Sequence, residues 1–545
     1  MTNLCLNAAP AHRHYRQGGF QNVIPNPLPR WLPSPPPEKT NMPTSRNKTP
    51  RVLIVTPEIT YLPAGMGEGA DKMHAKAGGL ADVSSSLIRA LYEQGGDVHV
   101  TLPNYRAIFR DQLRNDFDEE VDRIRNSITS DRIHLAEDRA FFYLDQIYSG
   151  YNGEDVKISL AFQREVINNV IPRVKPDLIH CNDWMTGLIP AMARRVGIPC
   201  LFTLHNVHSR ETVMATIEDR GIDTADFWQH LYFTRPPGNY EASRDTIPVD
   251  YLVSGVFASH YVNTVSPTFF REIVHGGHDM VTSQLRQELA NKWHAGCAAG
   301  ILNAPDDTCD PETDTAIFRN YTAESHKAGK RSNKIHLQEK LGLTPDHRAP
   351  LFFWPSRLDP LQKGCGLLAE ILYETLSHYW HDGMQVVMVA DGAFKPHFER
   401  IIRTFNLQSR VALAPFEESL SRLAYAASDF LFMPSRFEPC GLPQMIGPLY
   451  GTLPVACDTG GIHDTVTHLN AEEGTGNGFL FNSYDSSGLR WAVDEAMAFW
   501  RKPEAFKRSQ IVRIMDESRR TFNHTVTANR YIDLYETMLE RPFIV

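Results

Sequence analysis

From residue 51 onward, apolar residues arrive in short unbroken runs separated by stretches with helical spacing. Arg51–Glu58 (RVLIVTPE) predicts a strand, and Leu80–Leu91 predicts a helix with Leu80, Val83, Leu87 and Leu91 on one face. Gly95-Gly96 ends that helix, and strand resumes at Asp97–Pro103. Asp177–His180, Met185–Val196, Ile198–His205 and Tyr261–Val265 continue the strand–helix alternation. A second series starts near 349. It predicts strands at Leu351–Pro355, Gln385–Ala390, Val411–Pro415, Phe430–Pro434 and Leu453–Cys457. Helices are predicted between them at Leu367–Leu376, His397–Phe405, Leu420–Ser428 and Met445–Tyr450, and three more close the chain around 488–500, 503–520 and 525–540. Strands that are apolar throughout, each followed by a helix, indicate buried parallel sheets. Two doubly wound α/β domains are therefore expected, joined near 335–350. Segments 207–260 and 275–325 show little periodicity and predict no clear element.

Composition narrows the class. A chain of 545 residues holds two domains of roughly 200 residues each with substantial cores. Residues 1–50, with Pro25, Pro27, Pro29, Pro33 and Pro35–Pro37, predict an extended or disordered head. No apolar run approaches the ~20 residues of a bilayer span, and Met1–Phe20 lacks a signal-like apolar stretch, so neither membrane nor secretion is expected. Eight scattered cysteines without a Cys-x-x-Cys predict free thiols, a cytoplasmic location and no zinc site. A formal charge of −9 argues against a nucleic-acid partner. The acidic Asp116-Phe117-Asp118 stretch reads as a solvated helix face, so no metal is assigned to it.

Chemistry concentrates where strands hand over to helices, the place where open α/β sheets bind ligands. Phe437-Glu438-Pro439-Cys440-Gly441-Leu442-Pro443-Gln444 follows the apolar strand at 430. Its turn glycine and its proline, suited to a first helical turn, mark a helix start whose amides attract anions. A carboxylate placed there, Glu438, suits sugar hydroxyls better than phosphate, so the segment reads as a nucleotide-sugar site. Lys76-Ala77-Gly78-Gly79-Leu80-Ala81-Asp82-Val83 opens the first helix, where two glycines admit a ligand and Lys76 adds a mobile charge. The plain alternative is a flexible loop with a solvated lysine. In Ser356–Gly364, Arg357 lies at the carboxyl end of the strand and Lys363 six residues on, before a helix, where the two could clamp a diphosphate; the plain alternative is a surface pair near a helix start. Thr203-Leu204-His205-Asn206, His180-Cys181-Asn182-Asp183-Trp184 and Thr459-Gly460-Gly461 end further strands. The first two are equally readable as hydrogen-bonded core, and the third as a tight turn.

Together these segments, from about Arg51 to Asn529, resemble bacterial glycogen synthases and plant starch synthases, which are retaining glucosyltransferases of the GT-B fold. The match rests on Lys76–Val83, on Ser356–Gly364 and above all on Glu438–Val466 (EPCGLPQMIGPLYGTLPVACDTGGIHDTV). It implies two Rossmann-like domains facing across a cleft: an acceptor-side domain at 51–335, a nucleotide-sugar domain at 336–520 and a last helix at 521–545 packing back on the first domain. It implies Lys76, Arg357 and Lys363 on the diphosphate, Glu438 on the glucose hydroxyls, and His205 near the reacting carbon. Gly78, Gly79, Cys440, Gly441, Leu442, Thr459, Gly460 and Gly461 would line the donor, and Asp82, Asp183 and Asn206 the acceptor or sugar. It further implies ADP-glucose as donor, an α-glucan as acceptor, and no cofactor or metal. UDP-glucose, a small acceptor, or a non-catalytic glucan-binding role are the alternatives. The chain departs from the family at several places: His-x-His-Asp-Trp reads His-Cys-Asn-Asp-Trp, leaving Asn182 where the second histidine stands, and Val207-His208-Ser209-Arg210 replaces an apolar-aromatic run. A second glutamate, common in related sucrose-type transferases, is Ile446 here.

Overall fold

The computed structural model describes residues 49–67, 70–113, 132–148 and 152–544. Asp116–Asp118 and the proline-rich head up to residue 48 lie outside the described residues. Within them stand two parallel sheets. The first holds β1 (Arg51–Val55), β2 (Asp97–Pro103), β3 (Ile133–Ala136), β4 (Leu178–Asn182) and β5 (Cys200–Leu204). After a small antiparallel pair, β6 (Glu211–Thr212) and β7 (Val249–Asp250), it is completed by β8 (Tyr261–Thr264) and β9 (Ala298–Gly300). Its order is β3-β2-β1-β4-β5-β8-β9. The second sheet contains β10 (Leu351–Trp354), β11 (Gln385–Val389), β12 (Val411–Ala414), β13 (Phe430–Met433), β14 (Leu453–Cys457) and β15 (Phe479–Phe481), in the order β12-β11-β10-β13-β14-β15. Each sheet reverses its winding beside its first strand, between β1 and β4 and between β10 and β13, and these switch points open the crevices at the strand carboxyl ends.

Side chains of a strand alternate between the two faces of its sheet, and both faces of the second sheet are covered. Phe352, Trp354, Val386, Met388, Phe430 and Phe432 enter one core, while Leu351, Phe353, Val387, Val389, Leu431 and Met433 enter the other. That arrangement is why these strands read as unbroken apolar runs.

The helix His326–Leu341 packs with the second half: Leu337, Tyr321 and Cys309 share a core with Leu351 and Leu431. The chain thus joins the second core well before 335. The closing helix His524–Leu539 returns to the first half, where Tyr531 and Tyr535 are buried with the first core. Tyr535 hydroxyl lies 2.8 Å from His180 Nδ1, and Asn263 donates to Tyr531 hydroxyl at 2.9 Å. Between the halves, Val265, Cys440 and Met445 form a small apolar cluster with Leu302, Leu442 and Phe522.

Candidate active site

On the first half, β1 runs into Glu58, a buried carboxylate. Its Oε2 accepts from the backbone N–H groups of Ala77 and Gly78, each at 2.9 Å, and its Oε1 from Tyr148 hydroxyl at 2.6 Å. Burial and the adjacent Glu58 charge push the Tyr148 phenol well up, so it stays a donor. Glu58 thereby shapes the loop that carries Lys76, Gly78 and Gly79, and it holds two of the amides that the sequence alone offers to a ligand. Lys76 is ion-paired to Asp82 at 2.9 Å and reaches Glu418 of the second half at 3.9 Å. Asp82 also accepts from Thr60 hydroxyl at 2.6 Å.

β4 and β5 end side by side in a second network. Asp183 is buried and adopts φ 57° with ψ 179°, a region nearly reserved for glycine. Its carboxylate accepts from His205 N–H at 2.8 Å and from Asn206 Nδ2 at 2.9 Å, and these bonds hold the strained turn. Burial outweighs the bonds and raises its pKa to about 7. The same burial pushes His205 down to about 3, leaving the imidazole neutral. His205 Nε2 sits 2.9 Å from Asn182 Oδ1.

On the second half, Lys363 Nζ lies 2.6 Å from Glu438 Oε2, with side chains 12% and 7% exposed. Seventy-five positions apart, they meet because β10 and β13 are neighbours at the switch point. Arg357, just beyond β10, is exposed. Burial, then Arg210 and Arg357, lowers the His208 pKa, so Arg357 faces the loop after β5. Gly441 has φ +74°, which only glycine adopts without strain, and Cys440 is buried beneath it. The glycines after β14 serve packing: a Cβ on Gly460 would lie 2.1 Å from Glu438 O, and one on Gly461 2.0 Å from Cys440 O. Gly461 N donates to Glu438 O, and Gly460 N to Glu272 of the first half, each at 2.9 Å. Thr459 hydroxyl is also turned to Glu272, at 3.4 Å.

The two halves meet at these loops. A Cβ on Gly79 would be 4.0 Å from Leu442 Cδ1. Across the same interface, Asp464 takes Thr268 N–H at 3.1 Å and Thr268 hydroxyl at 2.6 Å. The structure thus gathers Lys76, Gly79, Asp82, His205 and Asp183 on one wall, and Arg357, Lys363, Glu438 and Leu442 on the other. Sequence reasoning missed Glu58, read only as a strand end, because a lone glutamate after an apolar run carries no pattern that points to the amides it meets.

Comparison with known proteins gives a consistent picture. Residues 51–286 match the family model of the starch synthase catalytic domain, and 349–498 that of glycosyl transferases group 1. The glycogen synthase of Syntrophotalea carbinolica is 32% identical over 496 residues, covering 86% of this chain and 96% of that protein. That of Moorella thermoacetica is 30% identical over 520 residues, covering 91% and 98%. The catalytic domain of starch synthase IV from Arabidopsis thaliana, bound to ADP and acarbose, is similar with a TM-score of 0.72 and 25% identity over 91% of this chain and 100% of that one. Sucrose-phosphate synthase from Thermosynechococcus elongatus shares the fold at a TM-score of 0.54 and 18% identity, over 90% and 99%.

Proposed function

We propose that this chain, which belongs to the family of glycogen and starch synthases, transfers glucose from ADP-glucose to the non-reducing end of an α-1,4-glucan with retention. It is a glycosyltransferase of the GT-B fold. The observation that carries the reading is the Lys363–Glu438 pair at the β10–β13 switch point, facing the Lys76–Gly79 loop.

In this reading the donor's diphosphate draws Lys363 away from Glu438 and is joined by Arg357 and Lys76. Glu438, released, accepts from glucose hydroxyls. Gly78, Gly79, Cys440, Gly441, Leu442 and Thr459–Gly461 line the donor. Asp82, Asp183 and Asn206 border the acceptor, with His205 beside the sugar. The acceptor 4-hydroxyl attacks the anomeric carbon on the face that the diphosphate leaves, the bond from that carbon to phosphate oxygen breaks, and the departing oxygen takes the proton. Arg357 and Lys363 stabilise the charge that builds there, each contact worth ~3 kcal/mol or about a hundredfold in rate. Nothing in this scheme requires a metal. Closure of the two walls keeps water from the reacting carbon. No described helix is long and apolar enough to cross a membrane, and the described cysteines are free thiols; the reading places the chain in the cytoplasm.

Incubation of the purified chain with labelled ADP-glucose or UDP-glucose, with and without glycogen, tests this. Label should enter glycogen from ADP-glucose. Incorporation only from UDP-glucose would overturn the donor, and glycogen binding without turnover of any donor would overturn the transferase.

A further inference from the structure

β4 ends on Asn182, which is 4% exposed and stands where the resembled family carries a histidine. Its side-chain amide lies between two groups of opposite demand. Nδ2 donates to the carbonyl oxygen of Val55, the last residue of β1, at 3.1 Å, and Oδ1 meets His205 Nε2 at 2.9 Å. A carbonyl oxygen only accepts, so the atom facing Val55 must be the NH2 group. The atom facing His205 is then Oδ1, which also only accepts. Nε2 must therefore carry a hydrogen. Because burial keeps the ring neutral, that is its single N–H, and Nδ1 is a bare lone pair. Among the described residues no group donates to Nδ1; the ring's bond is made through Nε2, and the backbone N–H of His205 is tied to Asp183.

We infer that Asn182 is a positioning residue, holding His205 in the Nε2–H tautomer so that Nδ1 accepts a hydrogen bond from a sugar hydroxyl. This rests on the transferase reading for the identity of the sugar, but the tautomer itself does not. A histidine at position 182 could present either a donor or an acceptor to His205, whereas an amide anchored on a backbone carbonyl presents only an acceptor. The lone pair also selects the ligand: a hydroxyl can donate to it, whereas an ionised phosphate oxygen can only repel it. His205 therefore faces the transferred glucose or the acceptor glucan, and the diphosphate lies with the cations Lys76, Arg357 and Lys363.

The test uses the full-length chain with ring-15N-labelled histidine and long-range 1H–15N correlation spectra, His205 being identified by the signals lost in His205→Gln. The wild type should show the Nε2–H pattern. Asn182→Leu, which has no acceptor, should lose that preference and drop about tenfold in kcat/KM for ADP-glucose, the size of one lost hydrogen bond, with ADP inhibition unchanged. Asn182→Asp keeps an oxygen towards Nε2 while losing the donor to Val55, so it should keep a hydrogen on Nε2 even as stability falls, which separates the tautomer from packing. An Nδ1–H pattern in the wild type overturns the inference. So does an unchanged pattern in Asn182→Leu, or a changed one with undiminished kcat/KM. If Asn182→Leu does not fold, the wild-type and Asn182→Asp spectra decide. A chain inactive with every donor yet showing Nε2–H overturns the transferase reading and supports the tautomer.

Discussion

The two walls of the cleft are built from different chemistry. The second-half wall is charged: Lys363 and Glu438 pair closely, and Arg357 is exposed beside them. At its centre the first-half wall is a near-neutral hydrogen-bond lattice, in which His205 is held uncharged, Asp183 resists ionisation, and Asn182 and Asn206 cannot ionise. Exchangeable cations suit a diphosphate that must arrive, build up charge and leave. Fixed neutral donors and acceptors suit sugar hydroxyls, which carry direction but no charge. On the proposed reading, most of the leaving-group chemistry would fall to the second half, helped by Lys76, and the orienting of sugars to the first.

The sharpest break of this contrast is Lys363→Ala. It should lower kcat/KM for the donor at least a hundredfold, and because Glu438 is left buried without its partner, it should also lower stability by about 3 kcal/mol. Lys363→Met combined with Glu438→Leu should recover most of the melting temperature and none of the activity. Full activity in either variant would remove the charged wall from the mechanism.

Glu58→Ala comes next. It frees two backbone amides and the Tyr148 hydroxyl, and should cost about 2 kcal/mol while raising the donor KM roughly tenfold through a loosened Lys76 loop. An unchanged KM would separate that loop from the donor.

Asp183 gives a pH signature. Its folded pKa of about 7 lies above the unfolded carboxylate value, so the native state binds the extra proton between about pH 4 and 7, and this group's contribution to stability falls as pH rises through that window. Asp183→Asn removes the slope. Relative to wild type, the variant should gain about 1 kcal/mol or more in going from pH 5 to pH 8, measured by denaturant unfolding at each pH. A gain in the opposite direction would mean that Asp183 is ionised at low pH. The smallest effect is expected at the exposed inter-half pair Arg436–Asp279, 3.4 Å apart: Asp279→Ala should move stability by less than about 0.5 kcal/mol and leave the rate unchanged.

The parallel α/β class, the two series of strands and the cation and glycine motifs at their ends were legible in the linear chain. Strands covered on both faces must be apolar throughout, and turns before helices need glycine and proline. The short strands β9 (Ala298–Gly300) and β15 (Phe479–Phe481) escaped, since three residues carry no periodicity. The helix Tyr251–Ala258 is apolar almost all round because it is buried almost all round, so it has no polar face to mark its period. Which motif meets which became visible with the folded chain. Lys363 finds Glu438 through the pairing of β10 with β13, and Glu58 finds the amides of Ala77 and Gly78 through the return of the first loop. The closing helix sets Tyr535 against His180 from 355 residues away. Such pairings depend on strand order and on loops folding back, and a linear pattern of polar and apolar residues records neither.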